Sequence, residues 1–312
     1  MRVLVVGAGA TGGYFGARLA AAGRDVTFLV REARAARLAE GGLSVRSPLG
    51  DVRIAAPATV TAGTIPGPFD LVLLSCKAYD LAGALDDVAP AVGPDTMVLP
   101  ILNGMAHLDA LDARFGPDRV LGGSCAIAAT LSSEGEIVQM SELHALTFGE
   151  RDGTRSERIG RVAAVMEGAG FTARLSDRIL LEMWEKWVFL ATLACGTCLM
   201  RAPIGDIVAA PGGAELMLGL LEECRGIAAG AGHAPREKFL ESSRGTLTAA
   251  GSRFTASMLR DIEKGARIEA DHIVGDLLAR GRSGDPDGAR PHLTTAYTHL
   301  KAYESRRARE QG

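Results

Sequence analysis

The sequence predicts an α/β fold in two parts, a doubly wound parallel sheet followed by an all-helical domain, and three observations carry that expectation. The chain opens on a short β-branched run, residues 3–6, that enters a glycine-rich turn at once. Continuous apolar runs of strand length recur at 70–75 and 97–102, as expected of strands buried on both faces of a parallel sheet. From Asp177 onward the runs lengthen to helical size, starting with ILLEMWEKWVFLATLACGTCLM, which is too apolar for a surface helix and reads as the core of a second domain. The expected domains are therefore 1–176, a Rossmann-type dinucleotide-binding unit, and 177–312, a helical unit for substrate and catalysis.

The first element justifies the name. Gly7, Gly9 and Gly12 follow the opening strand directly and precede a helical pattern, and a second strand at 25–30 closes a βαβ unit. In that context G-x-G-x-x-G has a mechanism: Gly7 permits the turn, Gly9 lets backbone approach a pyrophosphate, and Gly12 allows close packing. Free N–H groups at the helix start would face the phosphates, with the helix dipole favouring their charge. The loop Gly7, Ala8, Gly9, Ala10, Thr11 and Gly12 is thus the candidate cradle, against the plain alternative of a glycine turn serving packing only. An acidic residue at the end of the second strand would bind a ribose hydroxyl, whereas an arginine pairs with a 2′-phosphate. Arg31 holds that place, so NADP(H) is the expected cofactor. Arg34 and Arg37 follow at helical spacing, which also suits a solvated face.

Residues 43–55 alternate around Pro48-Leu49-Gly50-Asp51 and predict a small hairpin. The strands at 70–75 and 97–102 end in Cys76-Lys77-Ala78-Tyr79 and Asn103-Gly104, and 120–131 is expected to add a further strand of the same kind. Ligands gather beyond the carboxyl ends of such strands, which makes Lys77 and Asn103 candidate binding residues, although Asn before Gly is also ordinary turn chemistry. Residues 137–148 and 171–175 are expected to be extended, with an amphipathic helix over 156–170 between them.

In the second domain Asp177 is the expected cap of the apolar helix, and further helices are expected at 214–229, 235–249, 255–280 and 292–309, with a loop at 281–290. Lys186 stands among Trp184, Trp187, Val188 and Phe189. An ammonium in that company is partly desolvated and is a usable proton donor, unless its stem snorkels to water. Ser257 and Glu269 are polar positions on the helical run 255–280. Twelve residues apart on a straight helix they would point about 120° apart, so they share a site only if Gly265 interrupts the helix or the ligand lies between them.

The bulk composition excludes other classes. A chain of 312 residues with 47% hydrophobic and 23% charged residues and a net charge of -3 is that of a soluble globular protein with no basic stripe for nucleic acid. No apolar run reaches membrane-spanning length, the first strand leaves no room for a signal peptide, and the cytoplasm is the expected location. Five cysteines and six histidines show neither a disulfide framework nor ligand spacing. Cys195 and Cys198 form C-x-x-C, but inside an apolar helix with no second pair, which argues against a redox or metal role.

In GAGATG, CKAY, LNG, EMWEKW and ASMLRDIEKGARIEADHIVG the chain resembles the ketopantoate reductase (2-dehydropantoate 2-reductase) family from end to end. The resemblance implies NADPH-dependent reduction of a small 2-keto acid to a 2-hydroxy acid in a cleft between the two domains, foremost 2-dehydropantoate to pantoate. By position it makes Lys186 the catalytic lysine and proton donor, and Glu269 a carboxylate near the nicotinamide ribose and active site. It makes Ser257 a substrate-binding hydroxyl, Asn103 an active-site amide at the strand end, and Lys77 and Arg31 cofactor-side cations. Positions four and eight beyond the lysine, asparagines in the family, are Leu190 and Ala194 here, and a substrate-facing amide three residues before the serine is Phe254. Losing such amides changes specificity, which raises a more apolar 2-keto acid as the alternative substrate. Two rivals are an opine-type or 3-hydroxy acid dehydrogenase, disfavoured by the lysine helix paired with SMLRDIE, and a non-catalytic NADP(H) sensor, disfavoured by the retained Lys186, Ser257 and Glu269. The apolar helix 179–200 suits a homodimer interface as well as an internal core.

Overall fold

The computed structural model describes residues 1–285 and 288–311; Pro286 and Asp287, within the loop expected at 281–290, and Gly312 lie outside the described residues. The chain divides into two compact units, Met1–Leu102 with His107–Ile179, and Asn103–Ala106 with Leu180–Gly312. The turn Asn103–Ala106, expected in the first domain, clusters with the second.

The first unit runs β1 (Arg2–Val6), α1 (Ala10–Ala21), β2 (Asp25–Leu29), α2 (Glu32–Gly41), β3 (Leu43–Arg46), β4 (Val52–Ile54), β5 (Ala58–Val60), β6 (Leu71–Leu74), α3 (Leu81–Val88), β7 (Met97–Pro100), α4 (Ala106–Phe115), β8 (Gly122–Leu131), β9 (Ile137–Gly149), α5 (Glu157–Met166) and β10 (Thr172–Leu175). Five strands form a wholly parallel sheet in the order β5-β2-β1-β6-β7. β6 and β7 are buried at every residue, which is why their sequences are unbroken apolar runs. The strand order reverses between β1 and β6, the place where ligands bind in sheets of this type.

The other strands form a second, mixed sheet in the order β10-β9-β3-β4, with β8 beside β9. The expected hairpin is the antiparallel pair β3 and β4. The expectation for 120–131 is corrected: only Val120 bridges to Val98 of the parallel sheet, and from Gly122 the chain pairs antiparallel with β9. The reason is visible in its residues, GGSCAIAATL, which are small and mostly half-buried, unlike a strand enclosed on both faces. Helix α1 shares one core with both sheets: Tyr14, Phe15 and Leu19 are buried with Val3, Val5 and Phe28 of the first and with Leu43, Ile137, Leu146 and Phe148 of the second. Burying each aromatic contributes about 1.5–3 kcal/mol. The Tyr14 hydroxyl keeps a partner in His144 Nδ1 at 2.7 Å, as a buried hydroxyl must.

The second unit is helical: α6 (Ile179–Met200), α7 (Ile204–Ala209), α8 (Gly213–Gly230), α9 (Glu237–Leu247), α10 (Ser257–Glu263), a π-helical turn (Asp271–Gly275), α11 (Asp276–Gly284) and α12 (Pro291–Gln311). Helix α6 begins at Ile179, so Asp177 stands two residues ahead of it and not at its cap. Its apolar residues, Met183, Trp184, Trp187, Val188, Ala191 and Cys195 among them, are buried within the chain itself, so their composition needs no partner copy to explain it. Two helix starts are capped by acids from other helices. Buried Glu185 accepts from Arg236 N at 2.9 Å ahead of α9, and Glu223 accepts from His292 N and Leu293 N at 3.0 and 2.8 Å in α12. The single helix expected over 255–280 is broken at Gly265, which takes φ +65°, and its carbonyl is held by Arg307 Nε of α12 at 2.8 Å. Residues 281–284, expected as loop, extend α11. Among the described residues no helix is long and apolar enough to cross a membrane.

Candidate functional site

In the first unit the three glycines do three different jobs. Gly7 takes φ +91°, a region closed to ordinary side chains, and its N–H donates to Leu29 O at 2.9 Å, tying the turn to β2. A Cβ at Gly12 would stand 2.6 Å from the Gly7 carbonyl oxygen and run into Ser75 Oγ, which itself donates to Val6 O at 2.8 Å and joins the ends of β1 and β6. Around Gly9 nothing lies within 4 Å of where a Cβ would be. Helix α1 starts here without a side-chain cap and without an acidic residue in its first turn, so the positive end of its dipole is left open to an anion.

The cations stand beside this turn. Arg31 is the residue before α2, with its side chain 81% exposed and 3.4 Å from Asp80 Oδ1, so the end of β2 and the turn that begins at Lys77 are side by side. An ion pair this exposed is worth about 0–1 kcal/mol, and a phosphate can displace it. Arg34 departs from the solvated-face reading: it donates to Ala8 O at 3.1 Å and to Gly135 O at 3.0 Å. Its Nε is buried with no partner among the described residues, and burial, then Arg37, lowers its pKa. Arg37 is exposed, as a solvated face requires. An open Gly9, an uncapped helix start and a guanidinium with an unused buried donor all fit a phosphate-bearing cofactor.

In the second unit Lys186 is half-buried on α6. At about 100° per residue, Phe189 and Leu190 flank it one turn on, and Leu193 and Thr197 return to within about 20° of its direction. The Thr197 hydroxyl accepts from Ala256 N at 3.4 Å, so the segment leading into α10 lies along this face of α6. That segment carries Phe254, whose ring stacks on Phe189 with centroids 6.3 Å apart, and Ser257, exposed at the first position of α10. Gly265 does interrupt the helix, which removes the angular objection to Ser257 and Glu269 serving one site. Ile273 N donates to Glu269 O at 3.0 Å, and Ile273 O accepts from Trp187 Nε1 at 2.8 Å, so the turn carrying Glu269 is tied to the neighbour of Lys186.

Asn103 joins this group through Gly104, which takes φ +78° and packs so closely on His272 that a Cβ would stand 2.8 Å from its carbonyl oxygen and 2.9 Å from its ring. The His272 ring is bonded to the Asn103 backbone; burial holds its pKa below the usual histidine range against the opposing pull of Glu269, Asp276 and that bond. The structure therefore groups Asn103, Lys186, Ser257 and Glu269 in the second unit, and Gly7 to Gly12, Arg31 and Lys77 in the first. Cys195 and Cys198 are buried in α6 as free thiols, and burial pushes the Cys198 thiol up to about 12. Of the three positions where the resemblance expects amides, Ala194 is buried, Leu190 is half-buried and Phe254 is exposed. Sequence reasoning missed Ser75, Phe189 and His272. Ser75 ends the same strand that singled out Lys77, and His272 stands three residues beyond Glu269, so both were within reach of the signals in use.

Fold and residues together define a class, the Rossmann-type oxidoreductases with a helical second domain. Residues 3–153 match the family model described as ketopantoate reductase PanE/ApbA, and residues 178–304 match that of its C-terminal domain. The chain belongs to the ketopantoate reductase family and is an oxidoreductase. It is 37% identical over 305 residues to an uncharacterised oxidoreductase, YkpB, of Bacillus subtilis, covering 98% of this chain and 99% of that one. It is 31% identical to a 2-dehydropantoate 2-reductase of Mesorhizobium japonicum, covering 91% and 93% of the two chains. The solved 2-dehydropantoate 2-reductase of Geobacter metallireducens superposes with a TM-score of 0.86 at 29% identity, covering 97% and 99%.

Proposed function

We propose that this chain reduces a 2-keto acid to the 2-hydroxy acid with NADPH, and that Lys186 is the proton donor. The observation that carries the reading is the α6 face: a half-buried lysine, with the segment bearing Ser257 lying along its helix and the turn bearing Glu269 tied to its neighbour. The pyrophosphate of the cofactor would be held by the Gly7–Gly12 loop and the start of α1, and the 2′-phosphate by Arg31 and Arg34, with Lys77 as a further cation. When bound, NADPH supplies the hydride. A carbonyl oxygen that is being reduced gains negative charge; the Lys186 ammonium stabilises that charge and passes a proton from Nζ to the oxygen. Ser257 and the Asn103 amide orient the substrate's polar groups. Glu269 stands on the turn that His272 packs against Gly104, where a carboxylate can hold a ribose hydroxyl.

2-Dehydropantoate is the first substrate this reading supplies, because the Mesorhizobium relative bears the name of its reductase. The test is NADPH oxidation by the purified protein, followed as loss of nicotinamide absorbance, against a panel of 2-keto acids. Turnover that requires both NADPH and a 2-keto acid is the expected result. Tight NADPH binding with no turnover of any member would replace this reading with that of a non-catalytic sensor.

A further inference from the structure

Arg34 stands in the first turn of α2 and directs its guanidinium onto backbone: Nη2 donates to Ala8 O at 3.1 Å and to Gly135 O at 3.0 Å. Both protons of that nitrogen are thereby used, so Nη2 acts through the main chain and not on a ligand. Ala8 is buried in the loop between Gly7 and Gly9, and Gly135, at φ +84°, belongs to the turn that joins β8 to β9. That turn is closed by Ser132 N donating to Glu136 O at 2.8 Å and Gly135 N to Ser132 O at 3.0 Å, and Glu136 pairs with Arg46 of β3. The guanidinium therefore bridges an anchored turn and one peptide of the glycine loop. In a trans peptide the C=O and N–H point to opposite sides. With Ala8 O held by Arg34, the Gly9 N–H is turned away from the guanidinium, and among the described residues it has no acceptor. Gly9 itself restrains the peptide little: it carries no Cβ, and nothing lies within 4 Å of where one would be.

Taking the dinucleotide site proposed above as its basis, we propose that Arg34 is a positioning residue for the cofactor's pyrophosphate: it holds the Ala8 carbonyl out of the cradle and so keeps the Gly9 N–H presented to the phosphates. A peptide that turned over would offer the phosphates a carbonyl oxygen, whose partial negative charge repels them, in place of a donor. The role adds to the 2′-phosphate contact assigned to Arg34 above and is separable from it, because the pyrophosphate is common to NADH and NADPH. It also gives the β8–β9 turn a part in cofactor binding, since Gly135 is the second point from which the guanidinium is held.

The experiment measures the dissociation constants of NADH and NADPH by nicotinamide fluorescence, in the unaltered protein and in Arg34→Ala, Arg31→Ala, Gly9→Ala and the double variant of Arg34→Ala with Gly9→Ala. Arg34→Ala is expected to weaken NADH about tenfold and NADPH at least as much, whereas Arg31→Ala spares NADH. In the Gly9→Ala background the added methyl group already holds the phosphates off that peptide, so removing Arg34 should cost NADH less than about threefold. The same cycle in NADPH decides should NADH bind too weakly to read. Thermal melting reports whether each variant is folded. Should Arg34→Ala fail to fold, Arg34→Lys, which keeps the charge but cannot span the two carbonyls, takes its place in the comparison. Unchanged NADH binding in the Arg34 variant, or a loss just as large in the Gly9→Ala background, would overturn the positioning role and leave the dinucleotide site standing. No binding of either cofactor to the unaltered protein would remove the site and this role with it.

Discussion

The glycine loop and the lysine helix are built by opposite means. The loop works through backbone and almost within one stretch of chain: a positive φ at Gly7, open space at Gly9, and a close contact of Gly12 with the Gly7 carbonyl and Ser75. The lysine helix works through side chains brought from remote segments, with Thr197 holding Ala256, Trp187 holding Ile273 and Phe189 stacked on Phe254. A backbone site is sensitive to any added atom and indifferent to chemical identity beyond that. A side-chain site is sensitive to identity, since each of these contacts depends on which side chain stands at the position.

That contrast is open to direct test. The largest effect is expected from Lys186→Ala, which should lower kcat by about 10²–10⁴-fold while leaving the NADPH dissociation constant nearly unchanged. Turnover that survived would move the proton donor elsewhere, and loss of NADPH binding would show that the two regions are not separable. Next come two alanine substitutions within one loop. Gly12→Ala should cost about 1–3 kcal/mol of stability, because backbone must shift to admit the methyl group. Gly9→Ala should stay within about 0.5 kcal/mol of the unaltered protein, since φ −85° suits alanine and the space is empty, yet weaken NADPH. Thermal melting with and without NADPH separates the two, and equal melting losses would contradict the division of roles. The smallest effect is expected from Arg31→Ala, a loss of about tenfold in NADPH affinity with little change for NADH. Equal losses for both cofactors would remove Arg31 from the 2′-phosphate site.

Much of the first unit was legible because its signals are local. The β-branched run before Gly7, the apolar strands β6 and β7 and the β3–β4 hairpin each announce themselves within a few residues. The fate of β8 was not legible: strand length shows in sequence, but the partner and direction of pairing depend on what lies across from it, and here α1 between two sheets left room for a second sheet. The same holds for single side chains. Arg34 reads as one of several arginines at helical spacing, and only the folded chain brings Ala8 and Gly135 within reach of its guanidinium. Asp177 has the chemistry of a cap, but the helix starts too late for it to serve.

The sequence alone decided the family and the strand, glycine turn and helix that open the chain, and it singled out Lys186 as a candidate, because each rests on residue types at fixed short spacing, where local sterics and helix geometry leave few alternatives. Only the tertiary structure decided which remote segments pack on α6 and on one another. Phe254 is far from Phe189 in sequence, His272 far from Gly104, and Ile273 far from Trp187, and contacts of this kind follow from how helices pack and where Gly265 breaks one of them. Chemical capability is written in residue type; selectivity depends on neighbours that meet only when the chain has folded.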